Sequence, residues 1–195
     1  MIRPIVKFLI NIFCKIVFRV KKVGEENIKK EGAYIMCANH QSNWDPPILV
    51  ASTKRVLYIM AKEELFKNNF IRWFAKKCAV FPVKRGKMDI ESMKFSLKIL
   101  KEGQILMLFP EGTRHGLEKN GKAQNGAAFL ALRTGVPVIP VGIQGEMKPF
   151  HKVKLNYGKP LDFSKYQTNK PEKELLDKVS KEIMDNIIML TKEKI

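Results

Sequence analysis

The chain has 195 residues, of which 45% are hydrophobic, enough for one domain with a core and too few for two ordinary domains. Its 36 Lys and Arg against 19 Asp and Glu give a formal net charge of +17. This composition excludes a disordered basic tail, and the charge predicts a negatively charged partner: nucleic acid, an anionic membrane surface, an acidic carrier protein or a phosphorylated small molecule.

The cysteines exclude two further classes of protein. Cys14, Cys37 and Cys78 are widely spaced, with no CxxC pair and no histidine partner nearby. The sequence therefore predicts neither a disulfide framework nor a zinc site or other metal site, and it favours a reducing compartment such as the cytosol.

The first twenty residues predict an amphipathic helix. The longest run without a charge, Phe8–Cys14, is far shorter than the roughly 20 residues that a spanning helix needs, and the segment lacks the small-residue cleavage site of a signal peptide. The apolar residues have the spacing of one helix face. They are Ile5, Val6, Phe8, Leu9, Ile12, Phe13, Ile16 and Val17.

Charge indicates where this helix lies. Up to Lys22 the chain holds six Lys and Arg and no acid, a pattern typical of helices in the interface of an anionic bilayer. Each basic residue near such a surface contributes roughly 1 kcal/mol. We therefore expect residues 1–22 to form a membrane-associating helix and residues 23–195 to form the main domain. The alternative is that the helix packs its apolar face on that domain.

The rest of the chain alternates between short apolar runs and stretches with helical spacing. This alternation predicts a single α/β domain with a largely parallel central sheet flanked by helices. The predicted strands are 34–38, 56–61, 78–83, 104–109, 138–143 and 152–157, and the predicted helices are 46–52, 63–76, 88–102, 124–134 and 171–190. Ligands of open α/β sheets bind beyond the carboxyl ends of the strands, so the residues that follow each strand matter most.

A histidine and an aspartate follow the first of these strands. His40 and Asp45 would lie about 140° apart on a regular helix, but Pro46 disfavours helical backbone at Asp45. We therefore expect a turn over residues 40–44 that brings the carboxylate to the imidazole, fixes its tautomer and leaves the other ring nitrogen as a base. The alternative is that Asp45 only caps a helix and His40 is an ordinary loop residue.

Two other strands also end in polar, basic segments. The strand 104–109 runs into Pro110-Glu111-Gly112-Thr113-Arg114, where the guanidinium can bind a phosphate bidentately with help from the threonine hydroxyl and backbone donors. The strand 78–83 runs into Lys84-Arg85-Gly86, which adds two cations. The alternative for each segment alone is an ordinary polar loop after a strand, but the three junctions together favour a phosphate-binding edge of the sheet.

These segments resemble the conserved blocks of the glycerolipid acyltransferases, most closely the bacterial 1-acyl-sn-glycerol-3-phosphate acyltransferases. The resemblance covers roughly residues 20–145. Four blocks occur in order: Asn39-His40-x4-Asp45, Phe81-Pro82-Val83-Lys84-Arg85, Phe109-Pro110-Glu111-Gly112-Thr113-Arg114 and Val138-Ile139-Pro140-Val141-Gly142. The chain departs from the family at Gln124-Asn125-Gly126, where Lys-x-Gly is frequent, although Lys122 lies two residues earlier.

The resemblance implies an acyl transfer at the cytoplasmic face of the cell membrane. A fatty acyl group would pass from acyl-CoA or an acyl carrier protein to the free hydroxyl of lysophosphatidic acid, giving phosphatidic acid, with no cofactor beyond the thioester. By the same resemblance, His40 would be the general base and Asp45 would orient it. The resemblance implies no acyl-enzyme, and the sequence agrees, since the chain has no GxSxG elbow.

The same resemblance assigns the acceptor site. The residues that would hold the acceptor phosphate and shape the site are Arg85, Glu111, Gly112, Thr113 and Arg114. Since a carboxylate repels phosphate, Glu111 is expected to position Arg114 or a glycerol hydroxyl. The fourth block is expected to be strand and core, without a chemical role.

Three alternatives stay open at this point. The acceptor can instead be glycerol 3-phosphate or another lysolipid. A basic nucleic-acid-binding domain would also explain the charge, but the chain has no recognisable nucleic-acid motif and the strand-end chemistry would go unexplained. Cys37, three residues before His40, is a conceivable nucleophile, but its apolar strand favours a place in the core.

Overall fold

In the computed structural model, residues 2–84, 89–114 and 123–192 are described. They form one seven-stranded sheet and the helices that pack on it. The strands are β1 (Arg19–Val23), β2 (Tyr34–Ala38), β3 (Leu57–Lys62), β4 (Val80–Val83), β5 (Ile105–Leu108), β6 (Val138–Gln144) and β7 (Lys152–Tyr157). The helices are α1 (Ile2–Val17), α2 (Asp45–Ser52), α3 (Asn69–Lys77), α4 (Ile90–Lys101), α5 (Gly126–Thr134) and α6 (Lys173–Lys192).

The strand order is β1-β7-β6-β2-β5-β3-β4. Neighbouring strands run parallel except β6 and β7, which are antiparallel. The predicted α/β domain with a largely parallel sheet is therefore confirmed. Because β2 lies between β6 and β5, the carboxyl ends of three parallel strands meet around the residue that follows β2.

Helices cover the sheet on both faces, which is why β2 is a continuous apolar run. Ile35 and Cys37 point into a core that includes α4, α5 and α6, whereas Tyr34 and Met36 point into a core that includes α1 and α2. All four side chains are fully buried. The middle of the sheet is thus a rigid support for the polar residues at its carboxyl edge.

The close approach of α6 to β6 requires a glycine. A Cβ on Gly142 would lie 2.5 Å from the main-chain carbonyl carbon of Leu190, too near for any side chain. The contact is fixed by the side-chain amide of Asn156, whose Nδ2 donates to the Leu190 carbonyl at 2.7 Å. The fourth sequence block, which includes Gly142, is strand and core as expected.

The N-terminal helix is shorter than the sequence predicts. It ends at Val17, and Arg19–Val23 forms β1, an edge strand paired with β7. The predicted boundary between residues 22 and 23 therefore falls inside β1. The physical reason is the pairing with β7, which holds this segment extended. Its burial then alternates, with Val20 and Lys22 partly buried and their neighbours exposed.

The predicted helix over 63–76 is also divided. A 3₁₀ turn covers Glu63–Lys67, and α3 starts at Asn69. Asn68 between them has extended backbone, with φ −78° and ψ 124°, which interrupts the helical hydrogen bonds.

Helix α1 presents most of its apolar face away from the domain. Its inner side is anchored by the buried Cys14 and by Lys7, whose Nζ donates to the carbonyls of Lys54 and Arg55 at 2.9 and 2.8 Å. The residues of its outer face are 41–66% exposed. They are Ile5, Phe8, Leu9, Ile12, Phe13 and Ile16. Among the residues that the structure describes, no helix combines the length and apolarity needed to cross a membrane.

Candidate active site

His40 and Asp45 form an imidazole–carboxylate pair at the carboxyl end of β2. Nδ1 of His40 lies 2.8 Å from Oδ2 of Asp45. The same oxygen accepts the main-chain N–H groups of Gln41 at 2.7 Å and Ser42 at 2.8 Å. The predicted turn is therefore present, and its carboxylate is held by three donors from the residues just before it.

The local sequence explains this turn, with one difference from the prediction. Helix α2 begins at Asp45, one residue before Pro46, and Trp44 takes the N-cap position without a side-chain cap bond. The prolines at 46 and 47 cost no hydrogen bond there, because N–H groups in the first turn of a helix have no partner within it. Asp45 thus does not cap α2, and its carboxylate instead accepts hydrogen bonds from the residues before the helix.

The pair leaves one ring nitrogen of His40 for chemistry. A carboxylate on Nδ1 keeps the proton on that nitrogen and leaves Nε2 as the acceptor. The ring of Phe109 stacks on the imidazole with centroids 4.0 Å apart and planes 16° from parallel. Phe109 follows β5, which pairs with β2, so the sheet brings the two rings together. The imidazole is fixed both at its edge and on its face.

Glu111 links the third sequence block to the first. Its carboxylate Oε1 accepts the main-chain N–H of His40 at 2.9 Å, and the residue is only 5% exposed. The sequence suggested that Glu111 positions Arg114 or a glycerol hydroxyl. In the structure its contact is with the backbone of the histidine, so this acid fixes the backbone position from which the His40 side chain extends.

The turn after Glu111 carries the other described residues that the resemblance assigns to the substrate acceptor site. The Gly112 N–H donates to the Phe109 carbonyl at 3.0 Å, and its φ is +67°, a left-handed conformation that suits glycine. Thr113 and Arg114 are exposed. The turn therefore places a hydroxyl and a guanidinium at the surface directly after a buried acid.

The departure from the family pattern lies against this turn. The Gln124 N–H donates to the Pro110 carbonyl at 2.8 Å, and its side-chain Nε2 would lie 2.7 Å from a Cβ on Gly112. Gln124 therefore packs on the turn in place of a cation. Lys122 lies outside the described residues.

Arg85 also lies outside the described residues, and only the strand before it can be placed. Two strands, β5 and β3, separate β4 from β2, which corresponds to about 14 Å across the sheet. The Lys84 N–H donates to Oδ2 of Asp89 at 2.8 Å. The second block thus starts well to one side of His40, whereas the third block is directly beside it.

The sequence assigns no individual role to three residues that help to build the site. Asn39 uses its side chain to accept the Ile143 N–H at 2.7 Å and to donate to the Ile143 carbonyl at 3.0 Å. Gln41 donates to the same carbonyl at 2.5 Å. Phe109 is the third, through its stack on His40. The available signal was the buried amide of Asn39, a polar group at the end of an apolar strand that must find a partner.

Cys37 is part of the core. It is fully buried, and burial raises the pKa of its thiol. A thiol held protonated among apolar side chains is a poor nucleophile, as expected from its strand.

The fold and the site define an α/β protein with a carboxylate-oriented histidine at the carboxyl edge of its sheet. The Acyltransferase family model matches residues 19–144, more than half of the chain, and this range contains the pair, Glu111 and the four sequence blocks. The chain belongs to the Acyltransferase family.

Relatives and a solved structure support this assignment. The chain is 34% identical over 164 residues to the 1-acyl-sn-glycerol-3-phosphate acyltransferase of Bacillus subtilis, with 80% of each chain covered. It is 34% identical over 138 residues to the enzyme of that name from Streptococcus pneumoniae, covering 67% of this chain and only about half (51%) of the relative. The crystal structure of the 1-acyl-sn-glycerophosphate (LPA) acyltransferase PlsC from Thermotoga maritima is similar with a TM-score of 0.72 and 28% identity, covering 99% of this chain and 82% of that chain.

Proposed function

We propose that this protein transfers a fatty acyl group from an acyl thioester to the free hydroxyl of 1-acylglycerol 3-phosphate, giving phosphatidic acid for phospholipid synthesis. The observation that carries the proposal is the 2.8 Å contact between His40 Nδ1 and Asp45 Oδ2 within the first family block. The names of the relatives, both 1-acyl-sn-glycerol-3-phosphate acyltransferases, support the choice of acceptor.

In the proposed reaction, Nε2 of His40 takes the proton of the acceptor hydroxyl. The oxygen attacks the thioester carbonyl, the new C–O bond forms, the C–S bond breaks, and the proton passes to the leaving thiolate. The Asp45 carboxylate stabilises the imidazolium that exists between these two proton transfers. General-base catalysis of this kind contributes about 10²–10⁴-fold to the rate.

The acceptor phosphate would bind at the third block. Arg114 and Thr113 are exposed beside the buried Glu111, and a guanidinium next to a hydroxyl suits a phosphate dianion. We assign Arg85, Gly112 and Glu111 to the same acceptor site, with Glu111 acting on the site through the His40 backbone. Acyl-CoA and acyl carrier protein are both candidate donors.

The test is to assay every combination of donor and acceptor with the parent protein and with a His40→Ala variant. Acyl-CoA and acyl carrier protein thioesters are each assayed with 1-acylglycerol 3-phosphate, glycerol 3-phosphate and other lysolipids. We expect kcat for 1-acylglycerol 3-phosphate to fall by at least about 100-fold in the variant, because the base is lost, with thermal unfolding unchanged. Near-normal turnover of His40→Ala would refute the assigned base. A preference for another acceptor would refute the assigned substrate and keep the reaction class.

We further propose that α1 attaches the enzyme to an anionic membrane, at the cytoplasmic face of the cell membrane. The support is its six-residue apolar outer face, which the domain leaves 41–66% exposed, together with the net charge of +17. Such a face beside basic residues is typical of helices that lie in a bilayer interface.

Vesicle co-sedimentation tests this attachment. Because Phe8, Ile12 and Ile16 are exposed, replacing all three by Ser should leave the fold intact and abolish sedimentation with phosphatidylglycerol vesicles. Ile90→Ser is the control, since Ile90 is a 60% exposed apolar residue at the start of α4. Undiminished sedimentation of the triple variant would contradict the proposal.

A further inference from the structure

The loop between β6 and β7 carries an aromatic side chain that the fold leaves uncovered. Phe150 is 66% exposed, and its φ is +66°. In the part of the chain that the structure describes, Ala79 is the one other non-glycine residue with a positive φ, and it is buried. Left-handed backbone is unfavourable for a residue with a Cβ. At Phe150 no burial of the ring within the protein compensates for it.

Hydrogen bonds hold this residue at the end of α1. The Phe150 N–H donates to the carbonyl of Val17, the last residue of α1, at 2.6 Å, and the Arg19 N–H donates to the His151 carbonyl at 3.2 Å. Ile16, directly before Val17, is itself 66% exposed. The backbone of Phe150 is therefore held one residue away from Ile16, the last residue of the outer face of α1.

A second aromatic residue extends that face towards the catalytic turn. The indole of Trp44 stacks on the ring of Phe13, with centroids 5.4 Å apart and planes 26° from parallel, and it is 40% exposed. Trp44 is the residue directly before Asp45. The apolar surface of α1 is thus continuous with the turn that holds the imidazole–carboxylate pair.

Exposed cations flank the end of this surface. Arg19 and Lys152 are adjacent partners in the β1–β7 register, and both are exposed. Lys148 is 68% exposed and forms an ion pair with Glu146 at 2.8 Å. An apolar surface with aromatic residues and a cationic border is complementary to an anionic bilayer, where the rings enter the acyl region and the cations meet the headgroups.

We infer that Phe150 and Trp44 insert into the same anionic bilayer as α1, so that three separate segments seat the carboxyl end of β2 at the lipid surface. The inference rests on the proposed membrane attachment and deepens it. In this orientation a lysolipid presents its hydroxyl to His40 while its acyl chain stays in the bilayer, because the residue before Asp45 already lies at the membrane.

Tryptophan fluorescence can locate each segment. The chain has two tryptophans, Trp44 and Trp73, so Trp73→Phe leaves Trp44 as the sole reporter. Adding Trp44→Phe and Phe150→Trp places the sole reporter in the loop. The matched control is Met189→Trp in a chain that also carries Trp44→Phe and Trp73→Phe. Met189 is 56% exposed on α6, which packs on the other face of the sheet. Each protein is mixed with phosphatidylglycerol vesicles that contain brominated phospholipid.

We expect the emission of Trp44 and of Phe150→Trp to shift to the blue and to be strongly quenched by the brominated lipid. The emission of Met189→Trp should show neither the shift nor the quenching. In the native background, Phe150→Ser should weaken partitioning into the same vesicles by about tenfold, without lowering thermal stability. If the protein binds the vesicles but the emission of Phe150→Trp is not quenched, the inference is wrong, and the attachment by α1 still holds. Failure to bind vesicles at all would overturn the attachment itself. Acrylamide quenching can also be measured before lipid is added. If the indole of Phe150→Trp is then protected from acrylamide, and more so at higher protein concentration, copies of the chain contact each other at this residue. That result would also overturn the inference.

Discussion

The carboxylate Oε1 of Glu111 accepts the main-chain N–H of His40 at 2.9 Å. A residue of the third sequence block thus fixes the backbone of the proposed base in the first block, across the β2–β5 pair. Because Glu111 is buried, removing its carboxylate leaves the donor unsatisfied, which costs about 1–3 kcal/mol.

Glu111→Gln and Glu111→Leu separate this positioning role from a role of the negative charge. The amide keeps an acceptor oxygen with the same reach, so we expect a small loss of kcat for Gln and a loss of about 10–100-fold for Leu, together with a lower melting temperature. Steady-state kinetics and thermal unfolding measure both effects. If kcat falls as much in Glu111→Gln as in Glu111→Leu, and the KM for the phosphorylated acceptor rises in both variants, the negative charge acts on the acceptor or on Arg114 instead.

Asp45→Asn removes the negative charge beside the imidazole and keeps the size of the side chain. We expect kcat to fall by about 10²–10⁴-fold, because the amide no longer fixes the proton on Nδ1 or stabilises the imidazolium. KM for either substrate should change little, since Asp45 is fully buried and meets neither. Acyl transfer with a saturating thioester measures the change, and turnover close to that of the parent enzyme would contradict the assigned pair.

Phe109→Leu tests the ring stack on His40. Leucine keeps an apolar side chain at the end of β5 but loses the parallel contact at 4.0 Å, so the imidazole gains rotational freedom. We expect a loss of about tenfold in kcat with unchanged KM, because misorientation of a catalytic group lowers the rate without weakening substrate binding. Phe109→Tyr, which retains the ring, is the control. Equal losses in both variants would show that the ring does not act through its stacking.

The sequence predicted the parts of this site that local patterns encode. The turn over residues 40–44 followed from an aspartate before a proline at the end of an apolar strand. The polar segment up to Arg114 followed from charged residues after another strand. The contact of Glu111 with the His40 backbone did not follow, because it joins residues 71 positions apart and depends on β5 lying beside β2. No short pattern records which strands are neighbours.

The same limit explains the error at β1. The segment Arg19–Val23 is five residues long and rich in cations, so by itself it has no reason to be a strand. Its partner, β7, begins at Lys152, more than a hundred residues later. Helix α1 was recognised because sixteen residues with helical spacing are a strong local signal, whereas its end at Val17 depends on that distant pairing.

The cysteines provide a pH-dependent prediction. Burial raises the pKa of the Cys14 thiol to about 11, so at pH 8 roughly a thousandth of it is thiolate, the reactive form. Iodoacetamide at pH 8 should modify the partly exposed Cys78 first and Cys14 slowly, with the rate at Cys14 rising about tenfold per pH unit up to pH 10. Peptide mass spectrometry follows each site.

Cys37 should be the slowest of the three to react, because it is fully buried and burial raises its pKa as well. Cys37→Ala should keep acyl transfer, since the proposed mechanism uses no thiol. Loss of turnover in a Cys37→Ala variant that still unfolds at the parent temperature would indicate a catalytic thiol.

Gly112→Ala tests the turn that carries Thr113 and Arg114. Gly112 has φ +67°, and an added Cβ would lie 2.7 Å from the side-chain Nε2 of Gln124. The left-handed backbone should cost the alanine variant about 1–2 kcal/mol of stability, and the displaced turn should raise KM for the phosphorylated acceptor.

Gly135→Ala is a matched control for that variant. Gly135 also has φ +67°, and its added Cβ would lie 2.7 Å from a glutamine side-chain atom, Oε1 of Gln167. It caps α5 before β6, at the edge of the sheet opposite His40, so it should show the same loss of stability with unchanged KM. Since the two substitutions differ only in position, a rise in acceptor KM confined to Gly112→Ala assigns the effect to the turn. An equal rise in both would trace it to lost stability and contradict the phosphate-binding role of this turn.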